Sequence, residues 1–136
     1  MADYFTHFSC LLDVGTPDNA ARALDIYTAL MAENAEDPPS DAFLVSVEAE
    51  YGGAHLWMRD DATGDPQRVI DFVRRCAAAF GLTGRWGFQW AATSSRPRVN
   101  AFSGGAHVLD LANGETIAWI GTHGWLADRL AEGGAS

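Results

Sequence analysis

At 136 residues, with 18 acids against nine bases and a net charge of −9, the chain is excluded from general binding to nucleic acid or to an anionic membrane surface. An apolar share of 48% marks a folding sequence, long enough for one domain whose core needs neither metal nor disulfide. Two isolated cysteines, no basic leader before an apolar stretch and no apolar run near about 18 residues point to a reduced, cytoplasmic protein that does not enter a membrane.

Residues 4–14 carry Phe8, Cys10, Leu12 and Val14 at period two, the spacing of a strand, and Leu11 makes it nearly apolar on both faces, as a central strand is. Thr16 and Pro17 then supply an N-cap and a first helical residue, and Asp18 complements the positive helix end. Leu24, Tyr27, Leu30 and Met31 make the apolar stripe of that helix, which the acids and double proline of NAEDPPSD terminate. Two strands follow around Gly52-Gly53: Phe43, Val45 and Val47 alternate in the first, Leu56 and Met58 in the second. Asp60 and Asp61 start the turn into the next helix. Asp65 caps it, Pro66 begins it, Val69, Val73, Cys76, Ala77 and Phe80 share one face, and Gly81 or Gly84 stops it. Trp86, Phe88 and Trp90 alternate in a further strand, and a long loop spans Ala91 to Gly105. AHVLDL and TIAWI then flank a type I′ turn signal at Asn113-Gly114, and Thr122 caps a short last helix. Trp57, Trp86, Trp90, Trp119 and Trp125 read as core-filling residues, the alternative being that one or two line a pocket or interface.

The resulting order, β-α-β-β-α-β-β-β-α, begins as a split βαβ unit. It predicts an α+β fold: a two-layer sandwich in which a ferredoxin-like β-α-β-β-α-β antiparallel sheet carries both helices on one face, extended by a C-terminal hairpin and short helix. Residues 1–132 form the single domain of this reading and 133–136 its tail.

Charge is placed unevenly along the chain. Residues 1–71 carry a net −11, residues 72–109 a net +5 with no acid at all, and residues 110–136 a net −3. Glu33, Glu36, Asp37 and Asp41 surround the double proline, with Glu48 and Glu50 close behind, as a candidate docking surface for a basic partner. The basic segment offers Arg85, Ser94, Ser95, Arg96, Arg98, Gly104, Gly105 and His107 as a candidate grip on phosphate or carboxylate. Planar guanidinium forks, hydroxyls and closely approached glycine amides are the donors such anions bind.

Other chemistry is less well served. SGGAH lacks the GxGxxG spacing and the strand-to-helix setting of a nucleotide loop. His7, His55, His107 and His123 have no ligand spacing, so neither metal nor cofactor is expected. His7 and Ser9 share a strand face as a small polar site. Asp60 and Asp61, being adjacent, point to opposite faces and make no acid/base pair, and no GxSxG elbow occurs, so no catalytic residue is assigned.

The segments THFSCLLDVGT, LTGRWGFQW, SRPR and GGAHVLDL together resemble a group of small proteins carried on plasmids and integrated elements of proteobacteria. The likeness spans most of the chain, and the GRWGFQW…SRPR…GGAHVLDL run is specific. In that group a cysteine often precedes the S-[RK]-P-R segment; Ser94 stands there in this sequence, so the loop offers no thiol. The resemblance implies a genomic setting and no particular reaction. In that setting the leading expectation is a non-enzymatic, acidic protein-interaction module: an inhibitor of a host defence nuclease complex, of anti-CRISPR or anti-restriction type, bound to a basic nucleic-acid-handling surface. The alternative is a small-molecule binding protein or enzyme that holds a phosphate or carboxylate ligand with residues 85–107, Trp86 or Trp90 stacking and His107 moving protons. A third reading is a self-associating protein, a homodimer.

Overall fold

Capping chemistry places two helices where the sequence signals them. The computed structural model describes residues 4–33, 43–61, 63–94 and 103–134. In it α1 (Pro17–Glu33) begins where the Thr16 hydroxyl accepts the Asn19 N–H at 3.1 Å. Likewise α2 (Pro66–Phe80) begins where Asp65 accepts the Gln67 N–H at 3.0 Å, and it ends at Gly81, whose φ of 64° is a left-handed conformation glycine takes without a Cβ clash. Val69, Ile70, Phe72, Val73, Cys76 and Ala77 are the buried face of α2. In α1 the fully buried residues are Ala20, Ala23 and Leu30, while Leu24, Tyr27 and Met31 are half-buried. The expected stripe is thus rotated toward alanines, whose small side chains let the helix lie close to its neighbours.

The strands are β1 (Tyr4–His7), β2 (Ser9–Asp13), β3 (Leu44–Glu48), β4 (His55–Arg59), β5 (Arg85–Ser94), β6 (Ser103–Asp110) and β7 (Thr116–Gly121), and a last helix, α3, spans Thr122–Gly134. Among the described residues the architecture is α+β, with three α-helices and two antiparallel sheets, one of order β1-β5-β6-β7 and one of order β2-β4-β3. The expected single ferredoxin-like sheet is therefore corrected to two, and the cause lies at Phe8. Its N–H donates to the Asp60 side chain at 2.9 Å, and its carbonyl accepts the Asp60 N–H at 3.2 Å. On one side of this break, Thr6 is held by Thr63 and Gly64, and β1 turns its other edge to β5. On the other side β2 stays with β4, and the Leu11 carbonyl that faces β5 takes its hydrogen bond from the Trp86 indole at 2.8 Å. A side chain fills the gap where a ladder bond would otherwise run.

α1 and α2 cover the side of the sheets that carries Phe8, Leu12, Leu56, Met58, Phe88 and Leu109, all buried. At the centre Phe43, Phe72 and Tyr27 meet with ring centroids 5.0–6.1 Å apart, and the Tyr27 hydroxyl donates to the Phe43 carbonyl. Truncating Phe72 would cost about 3–5 kcal/mol, the usual range for a buried aromatic.

Four further expectations change. The loop read from Ala91 to Gly105 is shorter, because Ala91 pairs with Gly104 and Ala92 with Ser103 inside the β5–β6 ladder. The β6–β7 hairpin forms, but Gly114 N–H donates to the Asp110 carbonyl across a connection running from Leu111 to Glu115, longer than a two-residue type I′ turn. Thr122 does not cap α3 with its side chain; its hydroxyl donates to the Gly104 carbonyl. Of the tryptophans, Trp86 and Trp90 pack on the core, whereas Trp57, Trp119 and Trp125 are 36%, 70% and 50% exposed. Among the described residues no helix is long and apolar enough to cross a membrane.

Candidate functional site

In an antiparallel ladder, residues directly opposite one another share a face. Across β2-β4-β3 this rule aligns Leu11 with Trp57 and Ser46, and Asp13 with His55 and Glu48. Their neighbours Leu12, Leu56 and Met58 turn to the core, so these rows form the sheet's outer face, which no helix among the described residues covers.

Trp57 anchors that face. Its indole N–H donates to the Ser9 hydroxyl at 2.8 Å, and the Arg59 guanidinium lies over its ring 4.0 Å from the centroid. Arg59 also donates to the Ser46 hydroxyl at 2.8 Å, and Ser46 donates onward to Glu48 at 3.2 Å. Beside this chain opens a cleft of about 490 Å³ lined by Ser9, Cys10, Leu11, Glu48, Glu50 and Trp57. Burial pushes the Cys10 thiol up to about 12, so it stays protonated and is no nucleophile. Asp13 approaches His55 at 3.9 Å, and Glu48 is the ladder neighbour of His55 on its other side, so this imidazole stands in a row between two carboxylates.

The break in the first strand brings a second group of side chains together. His7 Nδ1 lies 2.8 Å from Asp60, whose other oxygen accepts the Phe8 N–H. Burial alone would raise the Asp60 carboxyl; hydrogen bonds from His7 and Phe8, with the charge of the imidazole, outweigh it and hold the group below its usual range. A carboxylate-oriented imidazole is suited to proton transfer. However, among the described residues no hydroxyl or thiol bonds to it, and the Ser9 hydroxyl on the neighbouring strand is engaged by Trp57. This pair braces the strand break.

The sequence-assigned acids divide into groups. Glu48 and Glu50 stand at the cleft. Glu33 lies at the end of α1 and binds Arg75 of α2 at 2.6 Å, so the structure does not bring it to them. Glu36, Asp37 and Asp41 lie outside the described residues, as do Ser95, Arg96 and Arg98 of the anion-binding set. The remaining members of that set are spread along the β5–β6 hairpin. Arg85 and Ser94 are the two ends of β5, about 30 Å apart at roughly 3.3 Å per residue. Gly104 and Gly105 are ladder residues opposite Ala91 and Trp90. A Cβ on Gly105 would collide with the Trp90 ring and stand 2.7 Å from the Ile120 carbonyl, so this glycine admits an indole.

His107 sits mid-ladder opposite Phe88, beside a groove of about 480 Å³ between the start of α2 and the β6–β7 hairpin. Thr116 receives an N–H from Arg74 at 3.1 Å and lies 2.8 Å from His107 Nε2, an arrangement that favours the neutral ring protonated at Nδ1. Burial first, and then the charge of Arg74, holds His107 below its ordinary value. A neutral imidazole adds hydrogen bonding to the groove and no positive charge. Among the described residues no three histidine, cysteine or carboxylate side chains converge on a metal position.

Sequence reasoning missed Trp57, Arg59, Ser46 and the His7–Asp60 pair. For Trp57 a signal was present: alternation with Leu56 and Met58 puts it on the face opposite the core. Comparison with protein-family models, curated proteins and solved structures finds no match.

Proposed function

We propose that this chain is a non-enzymatic cytoplasmic interaction module whose outer β2-β4-β3 face receives an arginine-rich surface of a nucleic-acid-handling protein. In the mobile-element setting that its motifs resemble, the partner is a host defence nuclease, inhibited because carboxylates occupy a groove made for phosphates. One observation carries the reading. Among the described residues the arginines leave most carboxylates without a guanidinium: only Glu33 and Glu132 are bridged by arginine. Arg22 and Arg59 lie instead on the rings of Phe80 and Trp57, and Arg74 donates to the Gly114 carbonyl. The Arg59–Trp57–Ser46–Glu48 contacts give an internal example of how this face holds a guanidinium. A small anionic ligand held by residues 85–107 is the weaker reading, because Arg85 lies at the far end of β5 from Ser94.

The test uses the full chain and a labelled arginine-rich peptide, followed by fluorescence anisotropy at low and high salt. Binding is expected to weaken steeply with salt, and Glu48→Gln with Glu50→Gln to weaken it about tenfold, roughly 1.4 kcal/mol. Glu115→Gln, on the β6–β7 connection away from the cleft, is the charge control. Equal losses in the control and the cleft variants, or no loss in either, would overturn the proposal.

A further inference from the structure

β7 is an edge strand: it pairs with β6 on one side and, among the described residues, with nothing on the other. Edge strands normally defend themselves with charge, proline or coverage by another element. β7 reads TIAWIG, with none of the three, and five of its six residues are exposed. α3 continues directly from it, and every residue from Thr122 to Glu132 is exposed, including Trp125, Leu126 and Leu130. A helix of this length that buries nothing is marginal by itself in water.

We infer that the partner of this surface is a second copy of the chain, joined about a two-fold axis through β7 edges and α3 faces. Antiparallel pairing of one strand with its own copy satisfies both sets of unpaired backbone groups at once, as an isologous contact requires.

Two further observations favour a copy over another occupant. The first is charge. The chain carries −9 overall and repels itself, yet residues 116–127 contain no Asp, Glu, Lys or Arg. Further along α3 stand only Asp128 and the Arg129–Glu132 pair, a net −1, so two copies can touch here while bringing few like charges together. The second is area. Ile117, Trp119, Ile120, Trp125, Leu126 and Leu130 are 41–70% exposed. At roughly 200 Å² for a fully exposed large apolar residue they present about 650 Å², close to the 800 Å² that each partner contributes to a standard interface.

Sedimentation equilibrium of the full chain from 1 to 300 μM decides the matter. The expected result is a closed dimer at twice the 14.6 kDa chain mass. Ile120→Lys, or Leu126→Glu with Leu130→Glu, is expected to raise the dissociation constant at least 100-fold while the chain stays folded, with any loss of far-ultraviolet signal no larger than the unravelling of α3 alone, because these side chains are exposed. Hydrogen exchange on the unmodified protein gives an independent reading: β7 amides are expected to exchange more slowly at 300 μM than at 1 μM. A single-chain mass at 300 μM, an assembly that keeps growing with concentration, or a dimer insensitive to these substitutions with concentration-independent β7 exchange overturns the inference. The first of these outcomes would assign the surface to a different partner.

Discussion

Replacing Asp60 with alanine removes two contacts at the point where the first strand divides. One belongs to the Phe8 N–H, which sits under a side chain only 5% exposed and donates to Asp60 at 2.9 Å. The other is the 2.8 Å contact with His7, whose ring is 44% exposed and has water as a substitute partner. The first loss dominates, since a buried donor left unmet costs about 1–3 kcal/mol, while the exposed half of the pair contributes little. Taking about 2 kcal/mol and the usual unfolding entropy of roughly 2.1 cal/mol/K per residue, the melting temperature of this 136-residue chain should fall by about 7 °C. Asp60→Asn keeps a carbonyl for Phe8 and should lose less than half as much. The pH dependence has a definite sign. The Asp60 carboxyl is held below its ordinary value in the folded protein, so its charge-dependent contribution is complete above that value and lost as pH falls through the lower, folded one. The gap between the unmodified protein and Asp60→Asn should therefore be open at pH 7 and close below about pH 4. Urea unfolding followed by tryptophan fluorescence at pH 7, 5 and 3.5 measures it. An alanine variant within 0.5 kcal/mol of the parent at pH 7, or an asparagine gap that widens toward acid, would refute the reasoning.

Gly105→Ala should destabilise by about 1–3 kcal/mol, because its methyl group meets the Trp90 ring and the Ile120 carbonyl, whereas Gly121→Ala enters open space and should fall within about 0.5 kcal/mol of the parent. Equal thermal melts for the two would show that Trp90 does not need this glycine. His107 should titrate below its ordinary value in NMR, and Arg74→Gln should raise its pKa only partway, since burial remains when the cation is gone. By the same linkage, the stability that neutral His107 contributes is complete above its ordinary value and lost as pH falls below it. A ring that titrates at or above that value in the unmodified protein would contradict the arrangement around Thr116.

Local chemistry made much of the fold legible. Thr16, Asp65 and Pro66 start helices, Gly81 stops one, and Gly52 and Gly53 take left-handed conformations near the turn expected of them. Each of these signals acts within a few residues, which is why it can be read from the chain. The division of the first strand was not legible, because Phe8, Cys10 and Leu12 keep period two straight through it. Its cause is a carboxylate 52 residues away. Ala91–Ser94 and Ser103–Gly105 read as loop because alanine, serine and glycine favour strands weakly; β1 draws residues 91–94 into the sheet from outside the local sequence. At the candidate site, Glu48 and Glu50 stood out as acids, but Trp57 was counted as core, since size and apolarity do not reveal which face a strand leaves bare.

Because segment 4–13 serves both sheets, the timing of synthesis matters for this protein. Ten residues that leave the ribosome early must wait for partners at 55–59 and then at 91–94. At about 5–20 residues per second that second wait lasts on the order of several seconds. A nascent chain of some sixty residues can assemble the smaller sheet while Tyr4–His7 still lacks its neighbour. Closure of the molecule is therefore ordered in time, with Tyr4–His7 sealed later than the strand that follows it.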